Sequence, residues 1–266
     1  NSHLDFFEEI GKYRAARRIW AKVMKNKYKA KDERSLKLRF HTQTAGFSLT
    51  AQQPENNISR TSYQALAAVL GGTQSLHTNS MDETLALPSE KAVEIALRTQ
   101  QILAYETGAA NVVDPLGGSW YVESMTDKME SISNKYFKVI SDQGGVISCI
   151  ENGFFQKEIA DASKKYSDLV ESKERYIVGI NKFVNKDEDI EIPLLKIDKK
   201  VQNKQIKKLV DIKKIRSNAN VEAKLKVIEK CCKSKKNLVP AIIDAALEYA
   251  TLGEIVTAMK NHFGEW

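Results

Sequence analysis

Apolar residues recur at three- and four-residue intervals from the start of the chain. Leu4, Phe7, Ile10, Tyr13, Trp20 and Met24 fall on one helical face that ends among lysines. Ser2, with Asp5 three residues on, reads as the cap of that helix. The pattern then shortens to a strand over 36–40, followed by the polar stretch HTQTAGFSLTAQQPENN. Small apolar residues (Ile58, Ala65, Leu66, Val69) predict a helix over 56–70, closed by Gly71 and Gly72. A second strand is expected over 73–77, then the polar run Thr78-Asn79-Ser80-Met81-Asp82-Glu83. Pro88 and Ser89 open a third helix, through about Glu106, that would pack on Val93, Ala96, Leu97 and Leu103.

Helix, strand, helix, strand, helix, with a polar loop after each short strand, is the order of a parallel α/β sheet or barrel. In such barrels the loops at the strand C-termini build the functional face, so His41, Gln43, Asn79, Asp82 and Glu83 would meet at one mouth. Two strands cannot close a barrel of eight, and Asn1 reads as entry into the middle of a larger domain. Farther on, NVVDPLGGSWYVE is turn-rich, and helices are expected over 123–141 and, after Gly144 and Gly145, over 143–167. An acidic spacer, NKDEDIEIP, leads into basic amphipathic helices and a closing helix pair. The division expected is 1–125 for the last β/α units of a barrel, 126–180 for a helical segment packed on it, and 181–266 for a basic linker with terminal helices.

The 266 residues carry a net charge of +7, but residues 191–240 hold 15 Lys and Arg against 5 Asp and Glu, so the remainder is acidic. Ile206, Leu209, Val210, Ile212 and Ile215 interleave with those lysines, and no aromatic group for base stacking lies among them. A solvated helical face is therefore expected there and not a nucleic-acid surface. No apolar run approaches a bilayer's thickness, so no membrane association is expected. Cys149, Cys231 and Cys232 form no paired framework, which suits a reducing, cytoplasmic setting. No metal, phosphate-loop or nucleophile-elbow motif is present. Asp82 and Glu83 could act as acid or base, or cap a helix. What remains is a mouth of mostly neutral hydrogen-bonding groups, suited to a neutral polar ligand or to a reactive intermediate that acids and bases would quench.

RFHTQTAGFSLTAQQPENN, GGTQSLHTNSMDETLALPSEKAVEIALRTQQILAYETG and NVVDPLGGSWYVE together resemble the adenosylcobalamin-dependent acyl-CoA mutases, most closely methylmalonyl-CoA mutase large subunits. FFEEIGKYRAARRIWAKVM and ATLGEIVTAMKNHFGEW extend the resemblance over nearly the whole chain, with 180–235 least similar. The resemblance implies the C-terminal part of a (β/α)₈ TIM barrel followed by a mainly helical extension. It implies adenosylcobalamin as cofactor and radical rearrangement of (R)-methylmalonyl-CoA to succinyl-CoA, with isobutyryl-CoA or a related acyl-CoA as alternative substrate and a non-catalytic scaffold as the alternative outside catalysis.

On the matching positions, Glu83, His41 and Gln43 would be catalytic. Gly46, Phe47, Gln74, Glu83, Ala86 and Leu87 would hold the cofactor, with Phe47 standing where several members carry Trp. The family's Asp-x-His-x-x-Gly cobalt-ligating segment is absent. A separate cobalamin-binding subunit and the N-terminal part of the barrel are thus the implied partners, in a hetero-oligomer that takes an acyl-CoA substrate.

Overall fold

A computed structural model describes residues 1–188, 192–193, 195–234 and 236–265. The chain divides into two compact units, Asn1–Leu195 and Lys196–Trp266. The first holds α1 (Phe6–Asn26), β1 (His41–Gln43), α2 (Asn56–Leu70), β2 (Ser75–His77), α3 (Glu90–Tyr105), α4 (Trp120–Asp142), α5 (Val146–Glu151) and α6 (Phe154–Glu171). Residues 126–180, expected as a helical segment packed on the barrel, supply most of α4 and all of α5 and α6 within this unit.

β1 and β2 are parallel, with His41 opposite Ser75, Thr42 opposite Leu76 and Gln43 opposite His77. Ser2 extends the same ladder on the other side of β1: its N–H donates to Gln43 O at 2.8 Å and its carbonyl accepts from Ala45 N at 2.8 Å. Three parallel segments therefore lie in chain order with α1 and α2 as the crossovers, which gives the first unit its α/β character. Ser2 is consequently not the helix cap. It is fully buried, its hydroxyl donates to Gln64 O, and Asp5 caps α1 by accepting from Glu8 N.

The strand expected at 36–40 lies instead at 41–43, inside the stretch read as a loop. Leu36 ends a single 3₁₀ turn, Glu33–Leu36, and Phe40 stacks on Tyr13 of α1 at 5.2 Å. The strand escaped the apolar pattern because both of its faces are polar. Thr42 and Thr44 are buried, where branched side chains suit a strand and hydroxyls find partners: Thr42 donates to Thr73 Oγ1 at 2.9 Å, and Thr44 Oγ1 accepts from Asn79 N at 2.9 Å.

α1, α2 and α4 meet at Ile10, Ala67 and Val122. Gly11 permits the approach of α4, since a Cβ there would lie 2.9 Å from Met125 Cγ. Around this contact Arg14 bonds Asp114 at 3.0 Å and Glu123 at 2.6 Å, while Arg18 reaches Asp127 and Glu130 at 2.6 Å. The guanidinium of Arg14, helped by the Gly118 N–H, holds the Glu123 carboxyl down to about 2. α3 starts as expected, with Ser89 accepting from Ala92 N, but it buries Ala92, Ala96, Thr99 and Leu103. Val93 and Leu97, expected in the packed face, are about half exposed.

The second unit holds α7 (Lys199–Ile215), α8 (Asn218–Cys232), α9 (Val239–Leu247) and α10 (Leu252–Phe263). Its core joins Ile228 and Cys232 of α8 to Ala241 and Ala245 of α9 and Ile255 and Ala258 of α10. Cys232 is thus a buried packing residue whose thiol pKa burial pushes up. Arg216 forks onto Glu254 at 2.6 and 2.7 Å, and Thr251 and Glu254 complete a capping box at the start of α10. α7 contributes no buried residue. Among the described residues no helix is long and apolar enough to cross a membrane. The acidic spacer falls partly outside the described residues, at 189–191.

Candidate functional site

Alternation along the two strands puts His41, Gln43, Ser75 and His77 on one uncovered face and Thr42 on the helix-covered side. His41 Nδ1 lies 2.7 Å from Ser75 Oγ. Where the strands end, Gln43 Nε2 donates to Asn79 Oδ1 at 3.0 Å, and Asn79 Nδ2 donates to Thr44 O at 2.9 Å. Asn79 is 2% exposed and is fixed through both its side chain and its backbone N–H, so it joins the two strand ends.

Gly46 faces this junction. A Cβ at Gly46 would sit 3.0 Å from Asn79 Nδ2 and 3.6 Å from Glu83 Cγ, so glycine is what lets the 46–48 turn close against the 79–83 loop. The adjacent carboxylates divide their roles. Asp82 is fully buried and its Oδ2 accepts from Ser89 N at 2.8 Å, which anchors the entry to α3. Glu83 is exposed, and its side chain makes no hydrogen bond or ion pair among the described residues. Ala86, half-buried, and Leu87, 56% exposed, follow on the same loop. Phe47 is 69% exposed, with its ring 5.8 Å from His3 and 5.2 Å from Tyr166.

The structure therefore brings Gln43, Gly46 and Glu83 around Asn79. His41 is two residues farther back, at the start of β1 and beside Ser75. Gln74 lies at the opposite end of β2 from Glu83, level with Phe40. Its Oε1 accepts from Phe40 N at 2.8 Å and its Nε2 donates to Gly72 O at 2.8 Å, so both ends of its amide are engaged with backbone. Two residues that hold the site in shape gave no sequence signal. Asn57, fully buried, donates to Thr50 O and Met81 O and so ties the loop after β1 to the loop after β2. Arg60 donates to Thr50 Oγ1, Asn57 Oδ1 and Val178 O, and burial lowers its pKa. In the sequence both fall within a helix of small residues and nothing sets them apart.

Among the described residues no cluster of three His, Cys, Asp or Glu could hold a metal ion. The site offers amides, hydroxyls and imidazoles and one open carboxylate, with Phe47 apolar on the first loop and Ala86 and Leu87 on the second. The exposed Phe47 and Leu87 set apolar surface on the same two loops as these polar groups, which suits an organic ligand better than a small ion.

Residues 1–265 match the family described as methylmalonyl-CoA mutase. The chain is 43% identical to the 2-hydroxyisobutanoyl-CoA mutase large subunit of Aquincola tertiaricarbonis, over 98% of this chain and 47% of that protein. It is 41% identical to methylmalonyl-CoA mutase of Escherichia coli over 99% of this chain and 37% of that protein. With human mitochondrial methylmalonyl-CoA mutase the identity is 40%, over 98% of this chain and 35% of the relative. The chain thus spans less than half the length of these relatives. Matched almost from end to end, it belongs to the methylmalonyl-CoA mutase family.

Proposed function

We propose that this chain is the C-terminal part of an acyl-CoA mutase's (β/α)₈ substrate domain, active when the remaining barrel strands and a cobalamin-binding subunit complete it. The observation that carries the reading is the neutral junction of Gln43 and Asn79 with Gly46 and Glu83 packed on it. Two parallel strands with their polar face uncovered support a barrel interior that other strands would close. Glu83, open and unpaired, is the group for a ligand hydroxyl, and Gln43 and His41 are the polar contacts for the reacting centre. Phe47, Ala86 and Leu87 would carry the flat face of the corrin, and Gly46, by letting the 46–48 turn close on Asn79 and Glu83, would set the two loops side by side beneath it. Gln74, at the other end of β2 with both ends of its amide held by backbone, would brace the strand end and not touch the cofactor.

When bound, adenosylcobalamin supplies organic radical chemistry for a 1,2-rearrangement. The chain's own part is to orient the partners and to exclude water and stray hydrogen donors. Amides locked by two or three hydrogen bonds, as at Asn79, do this without offering a mobile acid. The substrate we propose is (R)-methylmalonyl-CoA, giving succinyl-CoA, in a cytoplasmic hetero-oligomer. The 43% identity to a large subunit named for 2-hydroxyisobutanoyl-CoA supports the two-chain assembly and makes that acyl-CoA the competing substrate. Relative kcat/KM for methylmalonyl-CoA, 2-hydroxyisobutanoyl-CoA and isobutyryl-CoA in the completed assembly decides between them. A preference for either of the latter two overturns the methylmalonyl assignment but keeps the reaction class.

A further inference from the structure

After α6 the chain returns to the loop that follows β1, and residues 175–188 run against it. Arg60 Nη2 donates to Val178 O at 2.8 Å, Gln53 Nε2 donates to Phe183 O at 2.9 Å, and the Gln53 N–H donates to the Glu188 carboxylate. Gly179 is buried against the same loop. A Cβ there would lie 3.4 Å from Gln53 Cδ and 3.6 Å from Gln52 O, and its φ of +86° suits glycine. The segment is itself held: Asn181 Oδ1 accepts from Ile177 N at 2.7 Å, and its Nδ2 donates to Val170 O and Arg175 O at 2.8 Å, which fastens it to the end of α6.

Backbone strain marks the contact. Gln53 has φ +47° and Phe183 φ +53°, left-handed values that residues with a Cβ disfavour, and Gln53 also precedes Pro54. Such conformations persist where the surroundings over-determine them, and here the two strained residues hold each other through Gln53 Nε2 and Phe183 O. Arg60 adds a charge argument. It is 8% exposed, and its acceptors are neutral: Thr50 Oγ1 on the loop, Asn57 Oδ1 on α2 and Val178 O on the returning segment. A buried guanidinium with no carboxylate partner among the described residues is stable only while those acceptors stay in place, so it resists displacement of all three pieces.

We propose that residues 175–188 are a strap that sets the position of the loop after β1, with Gln53 and Arg60 as its positioning residues. That loop carries Gly46 and Phe47, and Asn57 joins it to Met81, two residues before Glu83, so the strap fixes the spacing of the two loops at the mouth. Its effect on a ligand passes through the loop. The ligand part of the proposal rests on the cofactor reading above.

Two readouts on the completed assembly separate the strap from the cofactor reading: hydrogen exchange over residues 46–53, and KM for adenosylcobalamin measured beside kcat. Gln53→Gly is the decisive variant, because glycine relieves the left-handed backbone while removing the side chain that reaches Phe183. Its melting temperature stays near that of the wild type, yet exchange over 46–53 quickens and KM for adenosylcobalamin rises roughly tenfold with kcat little changed. Asn181→Ala gives the same pair of changes. Val122→Ala, a core loss in the same unit away from the strap, lowers the melting temperature without moving KM. Arg60→Lys, which keeps the charge but not the fork, falls between the wild type and Arg60→Ala in both readouts. Unchanged exchange in Gln53→Gly and Asn181→Ala means that the loop holds itself, and overturns the strap. Faster exchange with an unchanged KM overturns its role in ligand binding. A wild-type assembly that binds no cobalamin overturns the cofactor reading and the ligand part with it, and the exchange result then decides the strap by itself.

Discussion

At the scale of single residues, some groups shape the mouth and others face into it. Glu83→Ala removes an exposed, unpaired carboxylate, so folding should be near normal while use of adenosylcobalamin weakens; unchanged turnover would take Glu83 out of the site. Gly46→Ala asks Asn79 to shift by a few tenths of an ångström, and the loss should appear in cofactor affinity before it appears in the melting temperature. Asp82→Ala should act the other way, costing about 1–3 kcal/mol in denaturant titration because it strands the buried Ser89 N–H. Glu123 carries a pH signature. Its folded pKa of about 2 lies below the ordinary 4.5, so its contribution is complete above pH 4.5 and is lost as pH falls toward 2. The pair is solvent-screened, so the effect is small, but Glu123→Gln should flatten the stability slope within that window.

Elements were legible where the physics is local. α2 and α3 follow from helical periodicity, with Gly71 and Ser89 marking an end and a start. β1 was displaced because a strand whose buried side is Thr42 and whose open side is His41 and Gln43 has no apolar alternation to read. Ser2 misled because a serine before an apolar repeat looks like a cap, and only the distant partners Gln43, Ala45 and Gln64 reveal a strand end. Strand-then-loop order already places Gln43, Asn79 and Glu83 at one mouth, and resemblance to a family adds Gly46. Composition indicated a neutral mouth, whereas the division of labour between Asp82 and Glu83 needed burial, which no spacing encodes.

In the second unit, Ile228→Ala should cost about 2–5 kcal/mol, because Ile228 is fully buried between α9 and α10. Removing residues 199–215 takes away α7, which has no buried residue, and should leave the α8–α10 core intact. The prediction is weaker association with the cobalamin-binding subunit at an unchanged melting temperature of that unit. Equal association would make α7 a plain solvated helix.

At the scale of the whole molecule, the first unit leaves the polar face of β1 and β2 open, and among the described residues no strand covers the outer edge of β2. Open edges of this kind promote unwanted pairing, so co-expression with the remaining barrel strands should raise soluble yield well above that of the chain alone. The same open face is the reason to expect catalysis only from a completed assembly. The most direct test is succinyl-CoA formation from (R)-methylmalonyl-CoA with adenosylcobalamin, in an assembly built from this chain, the remaining barrel and a cobalamin-binding subunit, with each component omitted in turn. Product should form only when all are present. A fully assembled, cobalamin-loaded complex that rearranges neither methylmalonyl-CoA nor 2-hydroxyisobutanoyl-CoA would contradict it.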